Sequence, residues 1–304
     1  MNPARLRAYI YLLIVAVIWG IAGPVIKLTL KGLPPDIFIT YRFLISSIIA
    51  IPLFAMQHTR LPRGRSVLFQ ILLYSLLNSV ISLGLLFWGT SRTSLLNMSL
   101  ISLFGPLLMV SFGYFFLKDH VTSREKVGTI IAFIGAAFIV VGPLIKSNNG
   151  SGQLFGNLLI ILSLSAGTFA GVLVKKLLRQ GVSPDFLANI SFIIGFIVLA
   201  PFTLLTNGFD NTISVIKNLP LIFHLGVFYM GIVSGNIAYT LNNMGQKTIE
   251  LSEAAPFAYL YPIISAVMAI FLLGDRLTIP IMAGAIVTFA GVFLAEWKKK
   301  RYNS

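Results

Sequence analysis

The sequence of 304 residues predicts an all-α, polytopic membrane protein in which ten transmembrane helices form two inverted five-helix repeats. Three observations predict this fold class. Hydrophobic residues make up 57% of the chain and charged residues 11%, which is more apolar surface than a soluble domain of this length can bury. Ten apolar runs have about the 20 residues that a helix needs to cross a bilayer. A long stretch of the first half also recurs, without a gap, in the second half.

The ten runs define the predicted helices in chain order. They lie at residues 8–28, 36–56, 66–90, 95–117, 125–144, 154–175, 185–206, 219–241, 251–273 and 279–297. The first run follows Arg5 and Arg7 and so resembles a signal peptide, but it is too long and lacks a convincing cleavage site after Pro24. It is therefore predicted to be a transmembrane helix.

The repeat is clearest between residues 89–135 and 245–291, which match at an offset of 156 positions. The matching residues of the first copy are Gly89, Leu95, Pro106, Phe115, Leu117, Asp119, Thr122, Gly128, Ile130, Phe133 and Gly135. Apolar composition alone would match some Leu, Ile and Phe, but it would not align three Gly, one Pro, one Asp and one Thr. The chain is therefore predicted to be an internal duplication.

Shorter matches extend the duplication towards the start of each half. Lys27 corresponds to Lys175 at an offset of 148, and Asp36 corresponds to Asp185 at an offset of 149. We therefore predict repeats at residues 8–144 and 154–297, joined by a flexible polar linker at 146–153. Because each predicted repeat has five spans, an odd number, the two repeats must enter the membrane from opposite sides.

The basic residues predict the orientation of these helices. Of the 23 Lys and Arg residues, 16 fall in segments that are inside when the N-terminus is cytoplasmic, six fall outside, and Arg42 lies within a span. Lys and Arg are enriched in cytoplasmic loops. Both termini are therefore expected in the cytoplasm, and the protein is expected in the inner (plasma) membrane.

The charge pattern and the missing motifs argue against several function classes. The net charge is +14, but the basic residues stand in short clusters between apolar runs, so no nucleic-acid partner is expected. The chain has no Cys, and His58, His120 and His224 are scattered, so no metal site and no cofactor are predicted. No paired carboxylates lie on an apolar helix, so the protein is not expected to be an enzyme.

Polar and aromatic side chains inside the spans are the candidates for solute binding, because an unpaired polar group in hydrocarbon is costly. The candidates are Trp19, Asn78, Ser82, Asn97, Ser102, Thr168, Phe169, Asn236, Tyr239, Asn243 and Tyr259. They predict a central pocket lined by spans one, three, four, six, eight and nine, with spans two, five, seven and ten on the outside. The alternative is hydrogen bonding between helices without any cavity.

Four further residues are candidates for coupling or gating: Glu253, Arg42, Pro106 and Pro262. Glu253 could couple proton or cation movement, or it could simply stabilise a helix N-terminus. Arg42, roughly 9 Å into its span, could contact solute or act in gating, or it could snorkel to the outer interface or form a structural ion pair. The two prolines predict helix kinks and, as a further hypothesis, a gate.

Several of these residues together resemble an EamA-type repeat of the drug/metabolite transporter superfamily. The residues that carry the resemblance in the first half are Trp19, Gly20, Lys27, Arg42, Phe43, Pro106, Asp119, Thr122, Gly128 and Gly135. Those in the second half are Gly274, Asp275, Arg276, Leu277, Thr278, Gly284 and Gly291. Two features depart from the usual pattern: Asp119 and Asp275 stand where Glu is commoner, and Ser191 stands at the second-half counterpart of Arg42.

The resemblance implies a ten-helix secondary carrier with a central cavity, often an exporter of amino acids, related metabolites or amphipathic cations. Together with the polar pattern it predicts alternating-access export of a small metabolite or amphipathic solute, such as an amino acid or a related compound. The expected partners are that solute, the lipid bilayer and a proton or cation gradient. The alternatives are a channel and a non-transporting scaffold or membrane-embedded enzyme.

Overall fold

The computed structural model describes residues 3–56, 64–93, 98, 101–141, 154–273 and 279–296, and within these ranges every regular element is a helix. The helices are α1 (Pro3–Thr29), α2 (Pro35–Met56), α3 (Arg65–Arg92), α4 (Phe104–Leu117), α5 (Ser123–Val141), α6 (Leu154–Arg179), α7 (Pro184–Asn207), α8 (Leu221–Thr248), α9 and α10 (Ile279–Glu296). Helix α9 has three segments, which are Leu251–Ala254, Ala255–Tyr259 and Leu260–Leu273. A short helix, Phe209–Lys217, connects α7 to α8.

Six of the described helices are long and apolar enough to cross a membrane, namely α1, α2, α3, α6, α7 and α8. Shorter apolar helices lie at Phe104–Leu117 and Met282–Ala295. Large apolar side chains cover the outer faces; Ile48 on α2 is 60% exposed and Leu205 on α7 is 87% exposed. Such a surface is stable in lipid, so the chain is a multi-pass membrane protein. The count of ten spans stays a prediction.

The middle of α3 and the middle of α8 are π-helical. The wide segments are Leu76–Ser82 and Tyr229–Ile237, and they overlap when the first half is shifted by the repeat offset. Segments of this kind are rare and often occur at functional sites. Neighbouring helices donate hydrogen bonds to the backbone of the second segment, since Ser46 Oγ lies 2.9 Å from the carbonyl oxygen of Gly231. The π-helical segments therefore present backbone acceptors to the helices around them.

The two candidate gating prolines lie at the beginnings of helical segments. Pro106 is the third residue of α4, and Pro262 is the third residue of the last α-helical segment of α9. That last segment follows a 3-10 segment, Ala255–Tyr259. A proline in the first turn of a helix removes no hydrogen bond of that helix. The kinks expected from these residues therefore take the form of breaks in the helix just before the proline.

Helices α2 and α7, which occupy the same place in the two predicted repeats, pack directly against each other. The Phe54 ring, near the end of α2, lies 5.4 Å from the Phe186 ring near the start of α7. The Thr40 hydroxyl, near the start of α2, lies 2.7 Å from that of Thr203 near the end of α7. Residue numbers rise along one helix as they fall along the other, so α2 and α7 are antiparallel.

Helices α5 and α10 also pack as an antiparallel pair, with their backbones in contact. A Cβ atom added to Gly128 would lie 2.5 Å from the backbone nitrogen of Ala295. A Cβ atom added to Gly291 would lie 2.3 Å from the backbone nitrogen of Ala132. Only residues without a side chain permit this approach, as in other membrane helix pairs built on small residues.

Two lysines at matching positions of the sequence make matching contacts. Each ammonium group donates to carbonyl oxygens at the C-terminal end of a neighbouring helix, α3 in one half and α8 in the other. The donors and acceptors are Lys27 with Thr90 and Thr93, and Lys175 with Gln246 and Ile249. Such carbonyls have no partner within their own helix, and a cation at a helix C-terminus also interacts favourably with the helix dipole.

Candidate functional site

A cavity of about 350 Å³ lies between α1, α3, α4, α6, α8 and α9, with one residue from α2. The predicted residues that line it are Trp19, Arg42, Asn78, Ser82, Ser102, Pro106, Thr168, Tyr239, Asn243, Tyr259 and Pro262. In the described part of the chain, α5, α7 and α10 contribute no lining residue. The volume is within the range of sites for small metabolites.

Aromatic rings form one wall of the cavity. The centroid of the Trp19 ring lies 5.0 Å from that of Tyr239 and 6.1 Å from that of Tyr261, and both pairs meet edge to face. The indole Nε1 of Trp19 donates to the carbonyl oxygen of Ser234, at 3.1 Å, in the π-helical segment of α8. This hydrogen bond and the two ring contacts hold the indole in place, so the wall is preorganised.

Polar side chains that line the cavity connect α3 to its neighbours. Ser82 Oγ donates to the carbonyl oxygen of Ser163 at 2.9 Å, and Ser163 Oγ donates to that of Ser82 at 2.7 Å. Asn78 Nδ2 lies 3.4 Å from Ser191 Oγ on α7. These groups both line the cavity and join helices, so cavity lining and hydrogen bonding between helices occur together here.

Three further predicted polar residues of the wall, Asn243, Thr168 and Ser102, also have protein partners. Asn243 Nδ2 donates to the carbonyl oxygen of Pro184 at 3.0 Å, which links α8 to α7. The hydroxyls of Thr168 and Ser102 donate to carbonyls one turn back in the chain, at 2.8 and 2.7 Å. A hydroxyl that donates in this way keeps its oxygen lone pairs for another donor. The wall therefore offers acceptors to a solute.

Arg42 is buried at the wall of the cavity. The residue is 1% exposed, and its guanidinium carbon lies 5.7, 5.5 and 5.8 Å from the ring centroids of Phe43, Phe87 and Phe192. Its side chain lies among these aromatic rings at the cavity wall. Among the described residues, no carboxylate forms an ion pair with it.

Two predicted solute-binding residues in the described part of the chain, Phe169 and Asn236, do not line the cavity. The Phe169 ring packs edge-on against the Phe116 ring of α4, at 5.6 Å. Asn236 is buried between helices and donates to the carbonyl oxygen of Ser46 at 3.1 Å and to Asn189 Oδ1 at 2.5 Å. Asn97 lies outside the described residues. The contacts of Asn236 are therefore hydrogen bonds between helices, which was the alternative to solute binding.

Glu253 is buried just behind the cavity wall, next to the lining residue Ala254. Its carboxylate forms an ion pair with the Arg5 guanidinium and accepts a hydrogen bond of 2.6 Å from the Tyr9 hydroxyl. Both partners belong to α1. The carboxylate therefore ties the first segment of α9 to the N-terminal end of α1, beside the cavity.

Sequence reasoning did not select Tyr74 and Gln246, although both line the cavity. Tyr74 precedes Asn78 by about one helical turn, so the helical period places the two on the same face of α3. That spacing was the available signal. Gln246 lies at the C-terminal end of α8, where polar residues are common for reasons unrelated to a cavity, so no comparable signal marked it.

A multi-pass helical membrane protein whose helices surround a solute-sized cavity with aromatic and polar walls has the build of a membrane transport protein. The sequence profile of the EamA-like transporter family matches residues 6–141 and 154–297. The chain therefore belongs to the EamA-like transporter family.

Curated relatives support this class over nearly the whole chain. The uncharacterized transporter YyaM of Bacillus subtilis is 24% identical over 96% of this chain and 94% of its own length. A probable amino-acid metabolite efflux pump of Salmonella typhimurium is 23% identical over 93% of this chain and 92% of its own length. A solved crystal structure superposes with a TM-score of 0.74 at 14% identity, over 97% of both chains, and this likeness concerns the fold alone.

Proposed function

We propose that the protein is a secondary transporter that exports a small metabolite or amphipathic solute, such as an amino acid or a related compound, across the cytoplasmic membrane. The observation that carries this proposal is the central cavity, whose aromatic and polar lining comes from helices of both halves of the chain. The family supports transport of metabolites. The export direction rests on the likeness to a relative that is named an efflux pump.

Within this proposal, ten spans form two inverted five-helix repeats at residues 8–144 and 154–297. The antiparallel packing of α2 on α7 and of α5 on α10 supports that arrangement, because these pairs occupy equivalent places in the repeats. The matching contacts of Lys27 and Lys175 support it independently. In transporters of this design, one repeat moves against the other around a site near the middle of the membrane.

The residues proposed to contact the solute are the predicted ones that line the cavity. Trp19 and Tyr239 supply aromatic surface, while Asn78 and Asn243 supply amide groups. The breaks before Pro106 and Pro262 are proposed as the places where helix segments move during gating. Both prolines lie in the cavity wall, which supports this role.

The proposed driving force is a proton or cation gradient coupled through Glu253. Its ion pair with Arg5 links two helices at one end of the molecule. A carboxylate that exchanges its arginine partner for a proton or another cation would release α1 from α9. This exchange would couple the ion gradient to gating, because it changes a contact between α1 and α9, which both line the cavity.

The proposed location is the inner membrane with both termini in the cytoplasm, supported by the distribution of Lys and Arg. The runner-up classes are a channel and a non-transporting scaffold or membrane-embedded enzyme. Membership of a transporter family favours transport over the latter two.

Counterflow in liposomes tests the proposal. Amino acids, nucleosides and organic cations are first screened for those that raise the melting temperature of the purified protein, because a ligand of the folded state stabilises it. Vesicles are then loaded with a labelled hit. Saturable acceleration of efflux by external unlabelled solute is expected, with protein-free vesicles as the control. Flux without such acceleration would identify a channel, and binding without flux would identify a protein that does not transport.

A further inference from the structure

Arg42 is the one charged residue among the described residues that line the cavity. It is also almost fully buried, at 1% exposure. A guanidinium in the apolar interior of a membrane protein loses its hydration, and this loss is costly unless a counter-charge or hydrogen-bond acceptors replace the water. The described protein provides no carboxylate at ion-pair distance. A solute with an acceptor group that enters the cavity would compensate for this loss.

Two nitrogen atoms of the guanidinium lack a hydrogen-bond partner in the described structure. They are Nε and Nη1 of Arg42, and both are buried. The rings of Phe43, Phe87 and Phe192 surround the group, but cation–π contact does not use the in-plane N–H groups. An N–H group of a guanidinium makes a short, charge-assisted hydrogen bond to a carboxylate oxygen, so each of these two nitrogens can donate to an anionic solute.

The position of Arg42 suits a transport site. The next residue, Phe43, stacks on Phe192 of α7 at 5.6 Å, between the contacts that join the two ends of this helix pair. In the second half, the residue at the place of Arg42 is Ser191. In transporters built from inverted repeats, the substrate site lies at the interface between the repeats. Of these two equivalent positions, only Arg42 carries a positive charge.

The aromatic wall of the cavity is continuous with this charged position. The Phe192 ring, which contacts the Arg42 guanidinium, lies 5.2 Å from the Tyr239 ring. Tyr239 in turn lies 5.0 Å from Trp19. A solute that places an anionic group on Arg42 would therefore have its apolar or aromatic body against Tyr239 and Trp19.

We propose that the transported solute bears a carboxylate, which binds the Arg42 guanidinium while the body of the solute packs on the aromatic wall. This inference rests on the proposed transport function and narrows the solute class. It opposes an amphipathic cation as solute, because the charge that a cation would meet in the described wall is positive.

Three probes with one aromatic body and different head groups test the inference on the purified full-length protein: phenylpropanoate, phenylpropanamide and phenylpropylamine. Binding is followed by the shift in melting temperature and by calorimetry. The wild type is expected to bind the carboxylate at least about tenfold more tightly than the amide or the amine, since a charge-assisted pair replaces a neutral contact or a repulsion.

Variants of Arg42 provide the second arm. Arg42→Gln is expected to weaken binding of the carboxylate by about tenfold or more and to weaken binding of the amide much less, and Arg42→Lys should give an intermediate result. The matched control is Arg92→Gln, because Arg92 also lies over an aromatic ring, that of Trp88, but is exposed and does not line the cavity. The comparison of head groups on the wild type holds even if an Arg42 variant fails to fold.

Several outcomes would overturn the inference: no binding of phenylpropanoate, equal binding of the three head groups, preference for the amine, or full carboxylate binding by Arg42→Gln. Counterflow with the same proteins separates this failure from failure of the proposed function. Transport of a neutral or cationic solute that is unchanged in Arg42→Gln would reject the inference and keep the transporter. Arg42-dependent binding without any counterflow would support the inference about the solute and reject the transport function.

Discussion

The buried charges of the described helices are held in different ways, which gives each a different role. Lys175 donates to carbonyls at a helix end, and Glu253 is paired with Arg5. Arg42 instead lies among aromatic rings with two of its N–H groups unused. The first two charges join parts of the protein to each other. The third faces the cavity and is available to a solute.

At Glu253 we expect the substitution Glu253→Gln to abolish gradient-driven uptake and to spare exchange. The neutral amide cannot bind a proton or cation in place of Arg5, but the cavity itself is unchanged. Uptake and counterflow by the same proteoliposomes, with and without an imposed gradient, measure the two activities separately.

The matched control is Glu250→Gln. Glu250 is close in sequence, and its carboxylate accepts a hydrogen bond of 3.2 Å from the backbone of His120 instead of pairing with Arg5. This variant should retain coupled uptake. Full gradient-driven uptake by Glu253→Gln would reject the coupling role, and loss of both uptake and exchange would indicate a structural role for Glu253.

The sequence predicted individual cavity residues only where a polar residue interrupts an apolar run. Asn78 and Asn243 stand out within apolar runs, and both line the cavity. Asn236 was equally marked, and seven residues, close to two helical turns, place it on the same face as Asn243. Both amides do face α7, but α2 covers Asn236 through the Ser46 carbonyl. Which helix covers a given face is decided by tertiary packing, which one sequence does not specify.

At the scale of elements, the helices were predictable and their irregularities were not. Runs of about 20 apolar residues specify a helix in lipid because the backbone must satisfy its own hydrogen bonds. The π-helical segment Leu76–Ser82 contains residues that are ordinary in an α-helix, and the two glycines of Tyr229–Ile237 do not by themselves specify a π-helix. Both segments depend on contacts from neighbouring helices, such as the bond from Trp19 to the Ser234 carbonyl.

The contact between α5 and α10 gives a prediction about stability. Gly128→Ala would place a Cβ atom 2.5 Å from the Ala295 nitrogen, so the helices must separate, and overpacking of this kind costs about 1–3 kcal/mol. A lower melting temperature of the detergent-solubilised protein is expected. The control is Gly84→Ala in α3, where no atom lies within 4 Å of the added Cβ and the melting temperature should not fall. Equal effects of the two substitutions would contradict the close packing.

At the scale of the whole molecule, helices of the two halves pack against each other and together line the cavity. Helices α2 and α7 pack antiparallel, and so do α5 and α10, while the lysines Lys27 and Lys175 make the same contact in each half. The repeat in the sequence predicted which elements would correspond. It did not predict that equivalent helices touch, because a sequence match carries no information on how the copies pack.

The inverted arrangement predicts that equivalent surface residues lie on opposite sides of the membrane. Lys31 and Gln180 are exposed residues at matching positions after α1 and after α6. The chain has no Cys, so an introduced Cys is the only thiol in the protein that the reagent can label. In intact cells, an impermeant thiol reagent should label Lys31→Cys directly and Gln180→Cys only after permeabilisation. Labelling of both from the same side would exclude the inverted topology.

The glycine-rich contact of α5 with α10 also bears on how the molecule could change shape. Gly128 and Gly291 bring backbone against backbone and have no rotamers to rearrange. A small rotation about this line therefore requires little repacking, whereas the stacked rings of Phe43 and Phe192 must slide past one another if α2 and α7 tilt. In the rocking motion proposed for transport, the contact between α5 and α10 would serve as the fulcrum, and the stacked rings would oppose the tilt of α2 against α7.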